Sequence, residues 1–165
     1  MLFRSGTFDW PVAVAVSVGG DVWVADAGNG RVERRTRIGL PVEGWRPTAP
    51  FDGPVAVAVE IAGTVLVAER DANRIARLRP DGATVDTWTS PRGDTTTFRA
   101  PSGIATGPDG LFAVADTGNA RVVILDADGS LIEVVDRVGA DARLAEPTGV
   151  SFGRDGSLDI VDEGA

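Results

Sequence analysis

The sequence has no histidine, cysteine, tyrosine or lysine, and all 16 of its basic residues are arginine. This composition excludes an imidazole base, a thiolate nucleophile, a Schiff-base amine and a Cys/His metal cage within the chain. Cysteine therefore gives no information about the redox compartment. The lack of lysine and tyrosine beside many Arg, Ala, Gly, Val and Asp residues is typical of a GC-rich, bacterial genome. Most of the usual catalytic groups are missing.

Long apolar runs and an excess of positive charge are lacking too. The run PVAVAVSVGG, which starts at position 11, is too short to span a bilayer, and no leader-like segment precedes it. The net charge of −8 at pH 7 repels polyphosphate, which makes nucleic acid a poor partner. The cellular location stays open, including an extracytoplasmic one. With 43% apolar residues in 165 positions, we predict one globular domain.

Four units that each begin at a proline follow one another along the chain. They span 11–53, 54–100, 101–146 and 147–165, and the first prolines are 43, 47 and 46 residues apart. Each unit repeats a glycine and then an acidic residue at matched offsets, and in the first three units an arginine follows five residues after the acid. Self-similarity at a period of about 40 to 50 residues is the signature of a repeat architecture.

Each unit is predicted to form four short antiparallel strands. In the third unit these are SGIAT, LFAVAD, RVVILD and LIEVVD. Asp109-Gly110 and Asp128-Gly129 are predicted hairpin turns, because glycine tolerates the positive φ of a tight turn. The first two strands are apolar on both faces and the last two carry charges, which indicates buried inner strands and wetter outer strands. The predicted fold class is all-β, a β-propeller of four-stranded antiparallel blades.

The third unit carries the most specific pattern. It combines P-x-G-I-A, a strand ending in V-A-D, the loop T-G-N-x-R-V and a closing D-G. This pattern resembles the NHL repeat, and the resemblance extends from Pro11 to the end of the chain. The second unit departs most, and where the family has its histidine the sequence has Gly30, Asn73 or Ala120.

The resemblance has consequences for the ends of the chain. NHL propellers generally close about six blades into a ring, so three and a half units imply an incomplete ring and a fragment of a longer protein. Residues 2–5, LFRS, are what the end of a sequencing adapter encodes, so 1–5 are left out of the fold prediction. Apolar strands exposed at open propeller edges predict association into a homodimer.

The loop Asp-x-x-Asn-x-Arg recurs in the units and is interpreted as scaffold. An aspartate at a strand end can accept backbone N–H groups of its loop, asparagine tolerates the left-handed conformation, and arginine can bridge back to the carboxylate. A catalytic site needs one copy of each special residue, whereas a scaffold role predicts repetition. The predicted scaffold residues are Asp26, Asn29, Arg31, Glu69, Arg74, Asp116, Asn119, Arg121 and Asp162.

Binding residues are instead expected in the connections between units, where the sequences differ. By resemblance, these connections lie on the same face as the acid-to-arginine loops. Aromatic and guanidinium groups are enriched at interface hot spots. Phe98 also has a packing interpretation, since it and Leu144 both lie three residues before a unit's first proline. The candidate binding residues are Trp45, Arg46, Arg92, Phe98, Arg99 and Arg143.

The leading functional hypothesis is a binding scaffold without catalysis, which holds a protein, a peptide, a carbohydrate or another small molecule on its loop face. The alternative is a fragment of a metal-dependent hydrolase or lyase, because related propellers include lactonases and lyases. We expect neither a catalytic residue nor a metal ligand in this chain; without histidine, only oxygen ligands suited to Ca²⁺ remain. RNA binding would need a basic face, and the dense cluster is limited to Arg34, Arg35 and Arg37.

Overall fold

The structure is a computed structural model and describes residues 7–45, 47–139 and 142–164. In these residues the secondary structure consists of β-strands and three short 3₁₀ turns, without an α-helix. The turns are Ala27–Asn29, Pro108–Gly110 and Thr117–Asn119. The all-β prediction is confirmed.

The strands are grouped into four antiparallel blades. The first blade has the order β1 (Pro11–Val16), β2 (Val22–Asp26), β3 (Arg31–Arg35). The second has β4 (Pro54–Val59), β5 (Val65–Glu69), β6 (Arg74–Leu78), β7 (Thr84–Trp88). The third has β8 (Gly103–Thr106), β9 (Phe112–Asp116), β10 (Arg121–Leu125), β11 (Leu131–Val135). A small hairpin, β12 (Arg137–Val138) with β13 (Ala142–Arg143), precedes the fourth blade, β14 (Pro147–Phe152) with β15 (Leu158–Asp162).

The first strand of each blade lies at the centre of the arc. β1 packs beside β4, β4 beside β8, and β8 beside β14, whereas the later strands of each blade lie progressively further out. We call the face that carries the loops after β2, β5, β9 and β15 the upper face, and the face with the β1–β2, β4–β5 and β8–β9 turns the lower face. This radial order is that of a β-propeller.

Apolar side chains fill the seam between each pair of neighbouring blades. β5 and β9 are buried at every position, as predicted for inner strands. In the second seam the Trp88 ring stacks on Phe112, with centroids 5.5 Å apart and the planes at 10°. The first seam joins Trp23, Ala25 and Val32 of the first blade to residues of β4, β5 and β6. The third seam is smaller and includes Val122 and Leu144.

The predicted hairpin turns have the expected backbone. Asp109 and Gly110 have φ values of 56° and 77°, so both central residues of this turn lie in the left-handed region. Gly129 has φ 82°, and a Cβ atom there would lie 2.6 Å from the Trp88 ring. Glycine at this position is therefore required by the backbone conformation and by the packing of the second seam.

The first unit differs from the predicted four strands. Its sheet contains β1, β2 and β3, and the described residues after β3 make an isolated bridge, Arg35 to Pro41, in place of a fourth strand. Proline has no N–H to donate to a ladder, which limits pairing at this edge. The connection before the fourth blade also folds into the unpredicted hairpin β12–β13.

One face of the first blade is apolar and exposed. Val14 is 63% exposed and Val16 is 62% exposed. At the matched position of the second blade, Val57 is 6% exposed, because the first blade covers it. The face of β1 that points away from the second blade thus exposes valine side chains to solvent. The corresponding valine face of β4 is buried in the first seam.

Candidate functional site

The repeated acid is the centre of a hydrogen-bonded loop on the upper face. Asp116 is fully buried, and its carboxylate accepts the backbone N–H of Arg99 at 2.7 Å, the Asn119 Nδ2 at 2.8 Å and the Arg121 Nε at 2.7 Å. Ala120, in the left-handed conformation, closes the 3₁₀ turn between these partners. Asp116 thereby fixes both its own loop and the connection that leads into its blade.

The same arrangement recurs in the other blades. Each acid accepts a backbone N–H from the residue 17 positions earlier, two residues before the blade's first proline. Three of these acids also accept an arginine Nε from five residues later, at 2.7 Å in each case. The scaffold role of these residues stays a prediction, which substitution of the acids tests. The residues are Asp26 with Arg31, Glu69 with Arg74, Asp116 with Arg121, and Asp162 without an arginine among the described residues.

The loop after β5 in the second blade is held by different side-chain contacts. Glu69 is one methylene longer than aspartate and binds Arg74 through both carboxylate oxygens, at 2.7 and 3.0 Å. Ala72 takes the place of the loop asparagine, and Asn73 stands at the left-handed position with φ 52°. The Asn73 Oδ1 accepts the Ala100 N–H at 2.7 Å, so this side chain reaches the next connection.

Arg121 extends the third loop into the connection before its blade. Its Nη1 donates to Asp94 at 2.7 Å and its Nη2 to the Thr96 carbonyl at 3.2 Å. Burial alone would lower the pKa of Arg121, but the hydrogen bonds to Asp116 and Asp94 raise it above its ordinary value. The pKa of Asp94 lies below its ordinary value because the Thr96 N–H donates to the carboxylate, and Arg121 adds to this effect while burial opposes it.

The lowered pKa of Asp94 predicts a pH dependence of stability. A carboxyl group with a lower pKa in the folded state than in the unfolded state stabilises the fold above the unfolded value of 3.8, and this contribution is lost as the pH falls through the folded pKa. We expect Asp94→Asn to lower the free energy of unfolding by about 1 to 2 kcal/mol at pH 7. The difference from the wild type should shrink below pH 3.8.

Urea unfolding at a series of pH values measures this difference. Asp128→Asn, at an exposed position of the β10–β11 turn, is the matched control and should leave the curve unchanged. If Asp94→Asn were less stable than the wild type by the same free energy at every acid pH, the stabilisation would not come from the charge of Asp94.

A cavity of about 940 Å³ opens on the upper face where the four first strands converge. It is lined by equivalent positions from all four blades: those on either side of the first proline and those just after the acid. Although these positions are equivalent, their side chains differ. They include the 77% exposed Trp10, Arg70 and Asp71 of the second blade, and Glu146 and Glu163 of the fourth.

Hydroxyl groups hold the wall of this cavity between the third and fourth blades. Thr117 Oγ1 donates to the Pro147 carbonyl at 2.7 Å, and Ser102 Oγ donates to the Thr148 carbonyl at 3.0 Å. The two hydroxyls are also 2.5 Å apart. Thr148 in turn donates to Glu163 at 3.1 Å, which orients this carboxylate at the cavity. On the acidic side of the cavity, Glu163 is thus held by a hydrogen bond from the wall.

The sequence-predicted binding residues do not gather in this cavity. Trp45 and Phe98 are 7% and 2% exposed and belong to the first and second seams, which favours the packing interpretation of Phe98. Arg99 is exposed beside a separate upper-face pocket of about 430 Å³. Arg92 and Arg143 are exposed and pair with Asp86 and Asp136. Arg46 lies outside the described residues.

Sequence reasoning missed Trp10, Arg70, Asp71, Glu146 and Glu163. Binding residues were expected among the aromatic and arginine side chains of the long connections, whereas these residues directly flank the repeated prolines and acids. A comparison of the units position by position next to those fixed residues would have found them. Variation beside the repeated prolines and acids is the signal, because these repeated residues mark corresponding positions in every blade.

The arginine cluster at the end of the first blade is largely ion-paired. Arg34 binds Asp21, and Arg35 pairs with Glu33, which also pairs with Arg31. Arg37 is exposed. In the part of the chain that the structure describes, no three or more His, Cys, Asp or Glu residues come close enough together to hold a metal ion. Nor does any described helix have the length and apolar character to cross a membrane.

Solved structures similar to this one are β-propeller proteins. One is a streptogramin B lyase, with a TM-score of 0.72 and 22% identity over 97% of this chain and 50% of that one. Another is a catalytically inactive virginiamycin B lyase from Staphylococcus aureus with quinupristin, with a TM-score of 0.69 and 22% identity over 98% and 52%. A third is in a nidogen/laminin complex, with a TM-score of 0.67 and 22% identity over 93% and 57%. The chain spans about half the length of these structures.

Blade order, seam packing and these similarities define the chain as part of a β-propeller. The family model described as "NHL repeat" matches it at residues 8–34 and 98–125, which include the acid loops of the first and third blades. The first and third blades thus contain NHL repeats, and the predicted resemblance is confirmed at these two positions. No curated protein matches the sequence significantly.

Proposed function

We propose that this chain is a binding segment of an NHL propeller, which holds a protein, peptide or carbohydrate ligand on its upper face without catalysing a reaction. One observation carries the proposal: corresponding positions of all four blades surround one cavity and present different side chains to it. Rigid blades that carry variable residues are ordinary sites of recognition.

The charges around the cavity favour a ligand with groups of both signs. Arg70 can bind a carboxylate, Glu146 and Glu163 can bind a cation, and the exposed Trp10 offers an apolar surface. A peptide segment meets these requirements more fully than a neutral carbohydrate does. Arg99, beside its pocket at the second seam, extends the same face outwards.

Trp10 provides a direct test of binding. The other three tryptophans, Trp23, Trp45 and Trp88, are at most 7% exposed, so quenching by iodide reports mainly on Trp10. Pools of short peptides and of oligosaccharides are screened for protection of this fluorescence. For a peptide that binds, we expect Arg70→Ala to weaken the affinity by at least about tenfold, because the removal of a hot-spot residue has an effect of this size.

The controls separate a specific site from non-specific contact. Arg154→Ala, at an exposed position of the lower face, should leave peptide affinity unchanged, and Arg99→Ala should weaken only ligands that reach the second seam. Trp10→Ala should abolish the fluorescence signal that is quenched by iodide. Peptide binding to this variant is therefore measured by calorimetry. Peptide affinity that is equal in all of these variants would contradict the proposal.

The alternative is that the chain is part of a metal-dependent hydrolase or lyase. The lyases among the similar structures support it at the level of fold. A screen of the purified chain against lactones and esters with Ca²⁺, Mg²⁺ or Zn²⁺ tests this alternative. Turnover that chelation removes would favour the enzyme over the binding scaffold.

A further inference from the structure

The lower face contains an arginine whose partners are complete in one blade and incomplete in the next. In the first blade, Arg34 donates through Nε and Nη2 to Asp21 at 3.1 and 2.5 Å, and through Nη1 to the Pro80 carbonyl at 2.9 Å. Its guanidinium also lies 5.0 Å from the centre of the Trp23 ring. Each nitrogen of this guanidinium therefore has a hydrogen-bond acceptor.

Arg77 is the equivalent residue of the second blade, three residues after the repeat arginine. It pairs across the strands with Leu66, as Arg34 pairs with Trp23. The position of Asp21 is taken by Thr64, and that of Pro80 by Ala127. In the second seam the guanidinium has therefore lost the carboxylate and the aromatic ring that hold its counterpart.

The substitutions leave room as well as an unsatisfied donor. The Arg77 side chain is 25% exposed, but its Nε atom is buried and has no hydrogen-bond partner. The Glu60 carboxylate is 3.5 Å from Nη2, beyond good hydrogen-bond distance. A cavity of about 320 Å³ opens beside these groups, and apolar side chains, including Ile61 and Leu111, line much of the rest.

The third blade shows that this arrangement is not a general feature of the repeat. Its equivalent positions are Leu111, Ala113 and Ile124, which contain neither a cation nor an acid. The accessible part of the Arg77 guanidinium is its terminal nitrogens, which line this cavity, and among the described residues their one acidic partner is Glu60 at 3.5 Å. A cation with such an incomplete set of acceptors favours an incoming hydrogen-bond acceptor.

We propose that this lower cavity binds a small organic carboxylate with an apolar body. The carboxylate accepts from the terminal nitrogens of Arg77, one of which is held by Asp21 in the case of Arg34. The apolar body lies against Leu111 and the 89% exposed Ile61 at the rim. The pairing is charge-assisted and shielded from water on one side, which strengthens it relative to an exposed pair. This site lies on the face opposite to the proposed peptide site and does not depend on it.

Benzoate is the probe, and its neutral counterpart benzamide is the matched control. Titrated into the isotopically labelled full chain, benzoate should shift the Arg77 Nε–H resonance and the amides of the β4–β5 and β8–β9 turns in NMR spectra. N-acetylated Gly-Phe with a free or an amidated C-terminus distinguishes a peptide terminus from a free acid as the source of the carboxylate. Benzamide should bind at least about tenfold more weakly than benzoate, and the amidated peptide at least about tenfold more weakly than the free acid. In both cases a charge-assisted hydrogen bond is lost.

Three variants make the test specific. Arg77→Gln should weaken benzoate binding by at least about tenfold. Thr64→Asp supplies an internal carboxylate and should abolish binding while raising the melting temperature, an effect opposite to that of damage to the fold. Glu60→Gln removes a negative charge near the site and should strengthen binding a few-fold.

Two results would overturn the proposal. One is equal binding of benzoate and benzamide, or binding that persists in both Arg77→Gln and Thr64→Asp. The other is the absence of any shift at tens of millimolar benzoate. Neither result affects the upper-face proposal, which is measured with different ligands and variants.

Discussion

Asp116→Ala is expected to lower the free energy of unfolding by about 3 to 5 kcal/mol. The substitution removes an acceptor from the Arg99 N–H, from Asn119 and from the Arg121 guanidinium, whose side chain is 9% exposed. A buried cation that loses a partner retains most of its desolvation cost, because Asp94 compensates for only one of its edges. Urea unfolding at pH 7 measures the loss.

The other blades provide a graded control for this prediction. Arg31, the partner of Asp26, is 21% exposed, and Asp162 has only backbone partners among the described residues. We therefore expect losses in the order Asp116→Ala, Asp26→Ala, Asp162→Ala, with the last about 1 kcal/mol. If Asp116→Ala left the unfolding curve unchanged and eliminated ligand binding, the loop would be a binding site and the scaffold interpretation would be wrong.

A second large effect is expected on self-association. We propose that the exposed face of the first blade packs against a second copy of the chain. The first seam shows how such a face is covered, since Val57, which matches Val14, is buried there by the neighbouring blade. Burial of a valine contributes about 1.5 kcal/mol, so Val14→Asp with Val16→Asp should raise the dissociation constant at least about a hundredfold.

Sedimentation over a range of concentrations measures this change. Val85→Asp, at a 53% exposed valine on an outermost strand, is the matched control and should associate like the wild type. In the described residues, β15 pairs with β14 and no N-terminal strand joins the fourth blade to close a small ring. A wild-type chain that stays monomeric at every concentration would contradict the proposal.

The fold could be predicted from the sequence because its determinants are local and repeated. Hairpin glycines, alternating valines and the acid-to-arginine spacing each act within a few residues, and repetition reveals them. The first blade departs from this pattern: its described residues after β3 make the isolated bridge Arg35 to Pro41, where the second and third blades have the outer strands β7 and β11. A departure that is confined to one blade cannot be predicted from the pattern that all blades share.

The site was less predictable for a different physical reason. Trp45 and Trp10 are the same residue type, but one is buried in a seam and the other is 77% exposed. Their placement depends on which blade faces each of them, and neither composition nor spacing records this. The same holds for Arg77, since its lack of a partner is visible only beside Arg34, whose acid comes from a position that is threonine in the second blade.

The distance between each acid and the N–H that it accepts also bears on how such proteins are made. Because that N–H belongs to a residue only 17 positions earlier, both partners of the contact are synthesised before any later blade. Contacts at such a short separation cost little loop-closure entropy. A gene duplication that copies one such stretch copies both partners of the bond. A new blade therefore arrives with the means of fixing its own entry segment.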